Sequence, residues 1–161
     1  MWISKDGSIY EGDCQAGDRA ATAQELAARA FGRAKQAKAA EIAASYAAAI
    51  ARGCTHRDKV IQLDAESRGN IGDMANLAGL VIAGQAAGKW PDKLESKGWR
   101  ALDNTHIPVT PEQMLELSFD AMARFVAIRF RASALKDALT AARTLAEVEA
   151  IDASSGWDAL P

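Results

Sequence analysis

One long stretch in the C-terminal half constrains the fold more than any other part of the sequence. Thr110-Pro111-Glu112-Gln113 is a helix-start signature, because Thr110 can cap the first turn and Pro111 suits the first helical position. Two series of apolar residues follow at steps of three or four, which predicts a helix with a wide apolar face. The first series is Met114, Leu117, Ala121, Phe125, Ile128, Ala132, Leu135 and Leu139, and the second is Leu115, Phe119, Met122, Val126 and Phe130. Other parts of the chain or a partner must cover this face, and we expect Phe125 to lie in the main core.

A second long helix is predicted nearer the N-terminus. Thr22 and Glu25 form a capping box at its start, and Gly53 is a natural stop after Arg52. The interior of this helix is mostly Ala, so its first half offers little surface for packing. The sequence predicts either an exposed stalk or a helix that packs closely on copies of itself.

Short β-hairpins are predicted at three places. Asp6-Gly7 separates Trp2-Ile3 from Ile9-Tyr10, which is a strong hairpin signal, and residues 15–21 are interpreted as a loop. Two further hairpins are expected at residues 54–64 and 98–109.

These elements predict an α+β fold that is mainly helical. Additional helices are expected from about residue 64 to Gly88 and from Thr144 through Ile151, with Trp157 docking back on the body. We divide the chain into an N-terminal hairpin and loop (1–21), the Ala-rich helix (22–52), and a helical body with two small hairpins (53–161).

Composition excludes several classes of function. Aromatic residues make up only 6% of the chain and Ala supplies much of its apolar fraction, which predicts a thin core and self-association. A net charge of −2 leaves no basic excess for nucleic acid. No apolar run approaches the ~20 residues that span a bilayer, no secretion signal stands at the N-terminus, and two isolated cysteines fit a reducing cytoplasm.

Candidate chemical sites have simpler structural interpretations. His56 lies near Cys54, Asp58 and Asp64, but this set lacks the spacing of a zinc site, and no orienting group for a Cys–His pair is evident. His106 is the only other histidine. We therefore predict no catalytic, cofactor or metal site.

Aromatic and basic residues allow two further alternatives. Trp90, Trp99 and Trp157 are interpreted as core residues, with a sugar site as the alternative. The arginines of the long helix are interpreted as a solvated face, with an anion site as the alternative. These arginines are Arg124, Arg129, Arg131 and Arg143.

The N-terminal hairpin is the predicted partner-binding element. Trp2, Ile9 and Tyr10 are too apolar for a free tip, and a hairpin this short cannot stabilise itself. The Ala-rich helix behind it offers little cover, so we expect these three residues to dock on another chain.

A set of short segments occurs in a recognisable order. They are Ala51-Arg52-Gly53, Val60 to Asp64, Glu66 to Ile71, Gly98 to Asn104, Val109-Thr110, Ala142 to Leu145, Glu149 to Asp152 and Ser155-Gly156-Trp157. Through them, the block from about Arg33 to Trp157 resembles a phage-encoded domain of unknown function found in bacteriophage tail and tail-fibre proteins. Lys5 to Asp13 also resembles the opening of small phage tail proteins.

The resemblance implies a tail context and no catalytic residues. We expect a non-enzymatic structural protein of the tail fibre or its attachment region, made in the host cytoplasm and located in the virion tail. It would bind phage tail or tail-fibre proteins and form a homo-oligomer. The alternative is a tail-fibre assembly chaperone that is not retained in the virion. A polysaccharide hydrolase lacks a carboxylate pair in a recognisable motif.

Overall fold

The helices and strands follow the predicted order along most of the chain. A computed structural model describes residues 1–63, 79, 82–87 and 98–160. The strands are β1 (Trp2–Ile3), β2 (Ile9–Tyr10), β3 (Arg19–Ala20), β4 (Cys54–His56), β5 (Lys59–Ile61), β6 (Trp99–Arg100) and β7 (His106–Ile107). The helices are α1 (Ala23–Arg52), α2 (Pro111–Ala141) and α3 (Leu145–Glu149). The fold is therefore mainly helical α+β, as predicted.

The helix predicted from about residue 64 to Gly88 is described only in part. Gly79 and residues 82–87 are helical, and the remainder of that segment, together with Trp90, lies outside the described residues. None of the helices in the described residues is long and apolar enough to cross a membrane.

Local hydrogen bonds set the ends of the two long helices. The Thr22 side chain accepts from the Glu25 backbone N–H, and Thr110 accepts from Gln113 in the same way. Both capping boxes are complete, because the Glu25 and Gln113 side chains return to the cap backbone. Gly53 then ends α1 at a positive φ of 73°, as predicted.

The hydrophobic core lies where α1 and α2 pack together, with α3 against α1 and β4 against α2. Every member of the first apolar series of α2 is buried except Phe125, which is half-buried. The expectation that Phe125 lies inside the main core is therefore wrong. Its ring sits at the edge of the buried face, where the Arg129 guanidinium carbon is 5.8 Å from the ring centroid.

The second apolar series of α2 points away from the core. Leu115 is half-buried, and the other four members are exposed. Consecutive residues of an α-helix are about 100° apart, so the two series diverge instead of forming one wide face. We name these four exposed residues the α2 stripe: Phe119, Met122, Val126 and Phe130.

The N-terminal hairpin gains a third strand. β1 pairs antiparallel with β2 on one side and with β3 on the other. The interpretation of residues 15–21 as a loop is thus wrong for Arg19 and Ala20. They pair with the free edge of β1 through backbone hydrogen bonds, which do not require β-prone side chains. Beyond the strand itself, the Ala21 N–H donates to Met1 O at 3.2 Å.

The two hairpins of the body lie against one another. Leu102 N–H donates to Val60 O at 2.8 Å, and Lys59 pairs with Asp103 at 2.8 Å. Gly53 and Gly98 occupy equivalent places, each with a positive φ and each against the carbonyl of the last residue of the opposite strand.

The C-terminal segment docks on α2, as predicted for Trp157. The Trp157 side chain is buried, and its Nε1–H donates to Ala153 O at 2.9 Å. Arg131 donates to the carbonyl oxygens of Asp152 and Ser155, which holds the turn against the helix.

Candidate interaction surface

The three predicted partner-binding residues all lie in the N-terminal sheet, but they do not share one face. Trp2 stands opposite Tyr10 in the register, and Ile9 stands opposite Ile3. Side chains alternate across a strand, so Trp2 and Tyr10 share a face while Ile9 and Ile3 point to the other. Ile3 is buried, and the three predicted residues are half-buried. The structure therefore brings together Trp2 and Tyr10 as an aromatic pair and separates Ile9 from them.

Hydrogen bonds to the following loop hold both aromatic side chains. Trp2 Nε1–H donates to Gly12 O at 2.8 Å. The Tyr10 hydroxyl donates to Asp18 Oδ2 at 2.5 Å and accepts from Gln15 N–H at 3.1 Å. The bond to the Asp18 carboxylate raises the pKa of Tyr10 above its ordinary value. The loop thus fixes the orientation of the pair before any partner arrives.

An open cleft of about 500 Å³ adjoins Tyr10 of the aromatic pair. Its wall combines the Tyr10 ring with charged and amide side chains, and it is lined by Ser4, Lys5, Asp6, Tyr10, Gln15, Ala16 and Asp18. Hydrogen bonds from Ser4 and then Ser8 lower the pKa of Asp6, which keeps its carboxylate charged. The cleft therefore offers hydrogen-bonding groups beside an aromatic surface.

The sheet is joined to α1 by a cluster of polar contacts. Arg19 of β3 pairs with Glu25 in the first turn of α1, with one contact of 2.9 Å between Nη1 and Oε2. The Glu25 carboxylate also accepts from the Thr22 backbone N–H at 2.9 Å. Arg29 reaches back to Met1 Sδ at 3.7 Å. These contacts fix the sheet to the start of the helix.

The sheet lies apart from the hydrophobic core. The first residues of α1 that pack against the core are Phe31 and Ala34, and the first fully buried one is Ile42. Lys35 Nζ lies 3.4 Å from Thr140 O, near the last turn of α2. At 1.5 Å per residue, the start of α1 projects about 12 Å beyond Phe31. The first two turns of α1 therefore carry the sheet past the end of α2.

The Glu25 carboxylate makes this junction pH-dependent. Its hydrogen bond with Arg19, followed by those with Thr22, lowers its pKa from 4.5 to about 2. A lowered folded-state pKa contributes stability that is complete above pH 4.5 and is lost as the pH falls toward 2. We expect the amide shifts of Thr22 to Glu25, followed by NMR in the folded protein, to move in a transition centred near pH 2, where the Glu25 carboxylate takes up a proton. Glu25→Gln should abolish that transition, and Glu41→Gln should leave it unchanged; a transition that survives in Glu25→Gln would contradict the assignment.

A second cluster lies where β4 meets α2. His56 is 5% exposed, and its Nδ1 is 2.7 Å from Asp120 Oδ2. Its Nε2 is buried and has no hydrogen-bond partner among the described residues. Asp120 could not be predicted from the sequence, because no local pattern links a strand residue to a helix residue 64 positions away.

This cluster lacks an activated nucleophile. Burial, and then the negative charge of Asp120, raise the pKa of the Cys54 thiol. Reactive thiols require the opposite shift. Within the described ranges, no three His, Cys, Asp or Glu side chains form a group that could hold a metal ion. His106 is exposed in β7. The His56–Asp120 pair therefore anchors the hairpin on α2.

The structure also shows where the candidate tryptophans lie, and where the arginines of α2 lie. Trp99 and Trp157 are buried in the core, as the core interpretation expects. The solvated-face interpretation is wrong for Arg124, which is 8% exposed and donates to Leu160 O at 2.7 Å. Because Arg124 and Arg131 bind carbonyl groups of the C-terminal segment, they do not form an anion site with Arg129.

Comparison with known proteins covers the body of the chain. A family model described as "Domain of unknown function (DUF4376)" matches residues 33–155. No curated protein and no solved structure matches the chain. The match begins within α1, close to where Phe31 and Ala34 first contact the core. The N-terminal sheet thus lies outside both the matched region and the core.

Proposed function

Because this chain belongs to the DUF4376 family, a domain of unknown function, we propose a function from its surfaces and its resemblance to phage tail proteins. The protein is a non-enzymatic structural component of a bacteriophage tail, associated with the tail fibre or its attachment region. Its N-terminal sheet docks on the tail partner. The observation that carries this proposal is the Trp2–Tyr10 face, which is displayed at the projecting end of α1 away from the core.

The chemistry of the face supports docking on a protein. Tryptophan and tyrosine are enriched at interface hot spots, since each combines a large apolar surface with a hydrogen-bonding group. Hydrogen bonds already hold both side chains in place, so binding costs less side-chain entropy. The polar cleft beside Tyr10 adds the hydrogen-bonding rim that protein interfaces share.

The phage context rests on resemblance. Lys5 to Asp13, which forms the turn, β2 and the start of the loop, is the segment similar to the opening of small phage tail proteins. The same segment carries Tyr10 and the carbonyl of Gly12 that orients Trp2. The sequence resemblance and the candidate docking face therefore coincide in one element.

Trp2→Ala tests the docking role directly. Removing a hot-spot tryptophan should weaken binding by about 2 kcal/mol or more, which is about a 30-fold loss of affinity. Binding is measured by titration against the tail proteins of the phage that encodes this chain. Glu11→Ala, an exposed change in the same loop, serves as the control and should leave affinity unchanged. Full-strength binding by Trp2→Ala would place docking elsewhere.

Deletion of Met1 to Asp13 tests the same proposal at the level of the fold. The body should keep its melting transition, because the sheet contributes no side chain to the core cluster. Incorporation into the tail should be abolished. A truncated protein that no longer folds would show that the sheet belongs to the body.

The alternative of an assembly chaperone uses the same face transiently. Mass spectrometry of purified virions separates the two roles. A tail component should be present in a fixed ratio to the fibre protein. The chaperone role would be favoured if the protein is absent from virions and fibres fail to assemble when the protein is not made.

A further inference from the structure

The cleft beside Tyr10 combines an aromatic ring with an excess of negative charge. Asp6 and Asp18 both line it, and neither carboxylate forms an ion pair with any residue that the structure describes. Lys5 is the single cation among the lining residues, so the two carboxylates outnumber it. Taking the proposed docking role of the N-terminal sheet as the premise, we propose that this cleft receives an arginine side chain of the protein on which the sheet docks.

Each of the two carboxylates keeps an oxygen for a ligand. Asp6 accepts hydrogen bonds from the Ser4 hydroxyl and from the Ser8 N–H, the latter at 3.0 Å, and both end on Oδ1. Asp18 accepts from the Tyr10 hydroxyl through Oδ2. No other hydrogen bond between described residues ends on these carboxylates. Because an ionised carboxylate accepts through both oxygens, Asp6 Oδ2 and Asp18 Oδ1 can still bind a donor.

An arginine matches this lining better than the other groups that fit an open cleft. A guanidinium is planar, always charged and carries five N–H donors, so its face can stack on an aromatic ring while its edge binds carboxylates. Tyr10, Asp6 and Asp18 supply both kinds of contact in one cleft. A lysine ammonium can pair with a carboxylate but has no plane to stack. A neutral sugar can stack on the ring but leaves the excess negative charge without a counter-charge.

The position of the cleft suits a side chain that projects from another protein. Hydrogen bonds to Asp18 and Gln15 hold the Tyr10 hydroxyl, so the ring is in place before an arginine enters. Tyr10 shares its face of the sheet with Trp2. One partner surface can therefore place an apolar group on Trp2 and an arginine in the cleft. Opposite charges at this point would speed the encounter and fix its orientation.

N-acetyl-arginine amide, titrated at low ionic strength against the ¹⁵N-labelled full chain, tests the cleft without the tail protein. The amide signals of Gln15 and Ala16, which line the cleft, should shift as the probe binds. N-acetyl-citrulline amide has nearly the same shape but no charge. It should bind about tenfold more weakly, because hydrogen bonds to charged groups are worth about 1.5–3 kcal/mol.

Matched variants assign the binding to the cleft. Asp6→Asn and Asp18→Asn each keep a carbonyl acceptor for the existing hydrogen bonds, and each should weaken the arginine probe about tenfold. Lys5→Gln removes the like charge and should tighten binding. Glu11→Gln makes the same change of charge as the aspartate variants at an exposed residue that does not line the cleft, and it should leave binding unchanged.

The titration has clear contrary outcomes. Equal affinity for the arginine and citrulline amides overturns the proposal, as does full binding by the variant that carries both Asp6→Asn and Asp18→Asn. Shifts of the same amides with N-acetylglucosamine, and none with the arginine probe, would assign the cleft to sugars and also overturn it.

Failure of the cleft and failure of the docking role give different results. If the arginine probe does not bind while Trp2→Ala still weakens binding to the tail proteins, the sheet docks but the cleft does not hold an arginine. If the probe binds while Trp2→Ala keeps full affinity for the tail proteins, the docking role fails and the preference of the cleft for arginine stands.

Discussion

Gly98→Ala should lower the free energy of unfolding by about 3 kcal/mol or more, because two effects add at this position. The φ of Gly98 is +77°, a region that disfavours any residue with a Cβ. An added Cβ would also lie 2.1 Å from Ile107 O, 2.6 Å from Ile107 C and 2.9 Å from Pro108 N. All three are backbone atoms at the end of β7 and directly after it, so the clash can be relieved only by moving the β6–β7 hairpin.

Gly32→Ala is the matched control for this change. Gly32 lies inside α1, and its added Cβ would meet nothing within 4 Å. Alanine in a helix interior is favoured over glycine by roughly 0.5–1 kcal/mol, so this variant should be slightly more stable. Urea unfolding followed by circular dichroism measures both changes. Equal stability of the two variants would mean that Gly98 does not have the backbone geometry described above.

Trp157→Ala should destabilise the body by about 3–5 kcal/mol, the usual cost of truncating a buried aromatic residue. Trp157 is 2% exposed within the core cluster. The change would also remove the hydrogen bond to Ala153 O and the ring beside the Arg131 guanidinium. The C-terminal turn would then be held on α2 mainly by the hydrogen bonds of Arg131 and Arg124.

The same substitution at Trp2 serves as the control for Trp157→Ala. Trp2 is only half-buried and is not part of the core cluster, so Trp2→Ala should change the main unfolding transition by less than about 1 kcal/mol. Thermal unfolding of both variants makes the comparison. A small effect at Trp157 would show that the C-terminal turn is not part of the cooperative core.

Local interactions explain why much of the fold could be predicted. The helix starts at Thr22 and Thr110 depend on hydrogen bonds that span three residues, so the sequence alone encodes them. The Asp6-Gly7 turn is equally local, with Gly7 at a φ of 86°. Helical spacing likewise placed the residues of the first apolar series of α2 side by side, but it did not show which of the two series faces the core.

Contacts between distant parts of the chain could not be predicted in this way. Pairing of β3 with β1 requires only an open strand edge, and any extended backbone can supply the partner. Ile9 was grouped with Trp2 and Tyr10 from composition, but the register of the sheet assigned it to the opposite face. The His56–Asp120 pair joins a strand to a helix 64 residues later.

The sequence by itself determined the starts of α1 and α2, the end of α1 and the Asp6-Gly7 turn, because these depend on neighbours within a few positions. Only the tertiary structure decided which charged and apolar residues of α2 are buried and which are exposed. Arg124 became buried because the C-terminal segment brought Leu160 O to its guanidinium. Phe119 and Phe130 remained exposed because α1 packs on the other face of α2 and can cover only one apolar series. Burial depends on which elements meet in space, and the spacing along one helix does not contain that information.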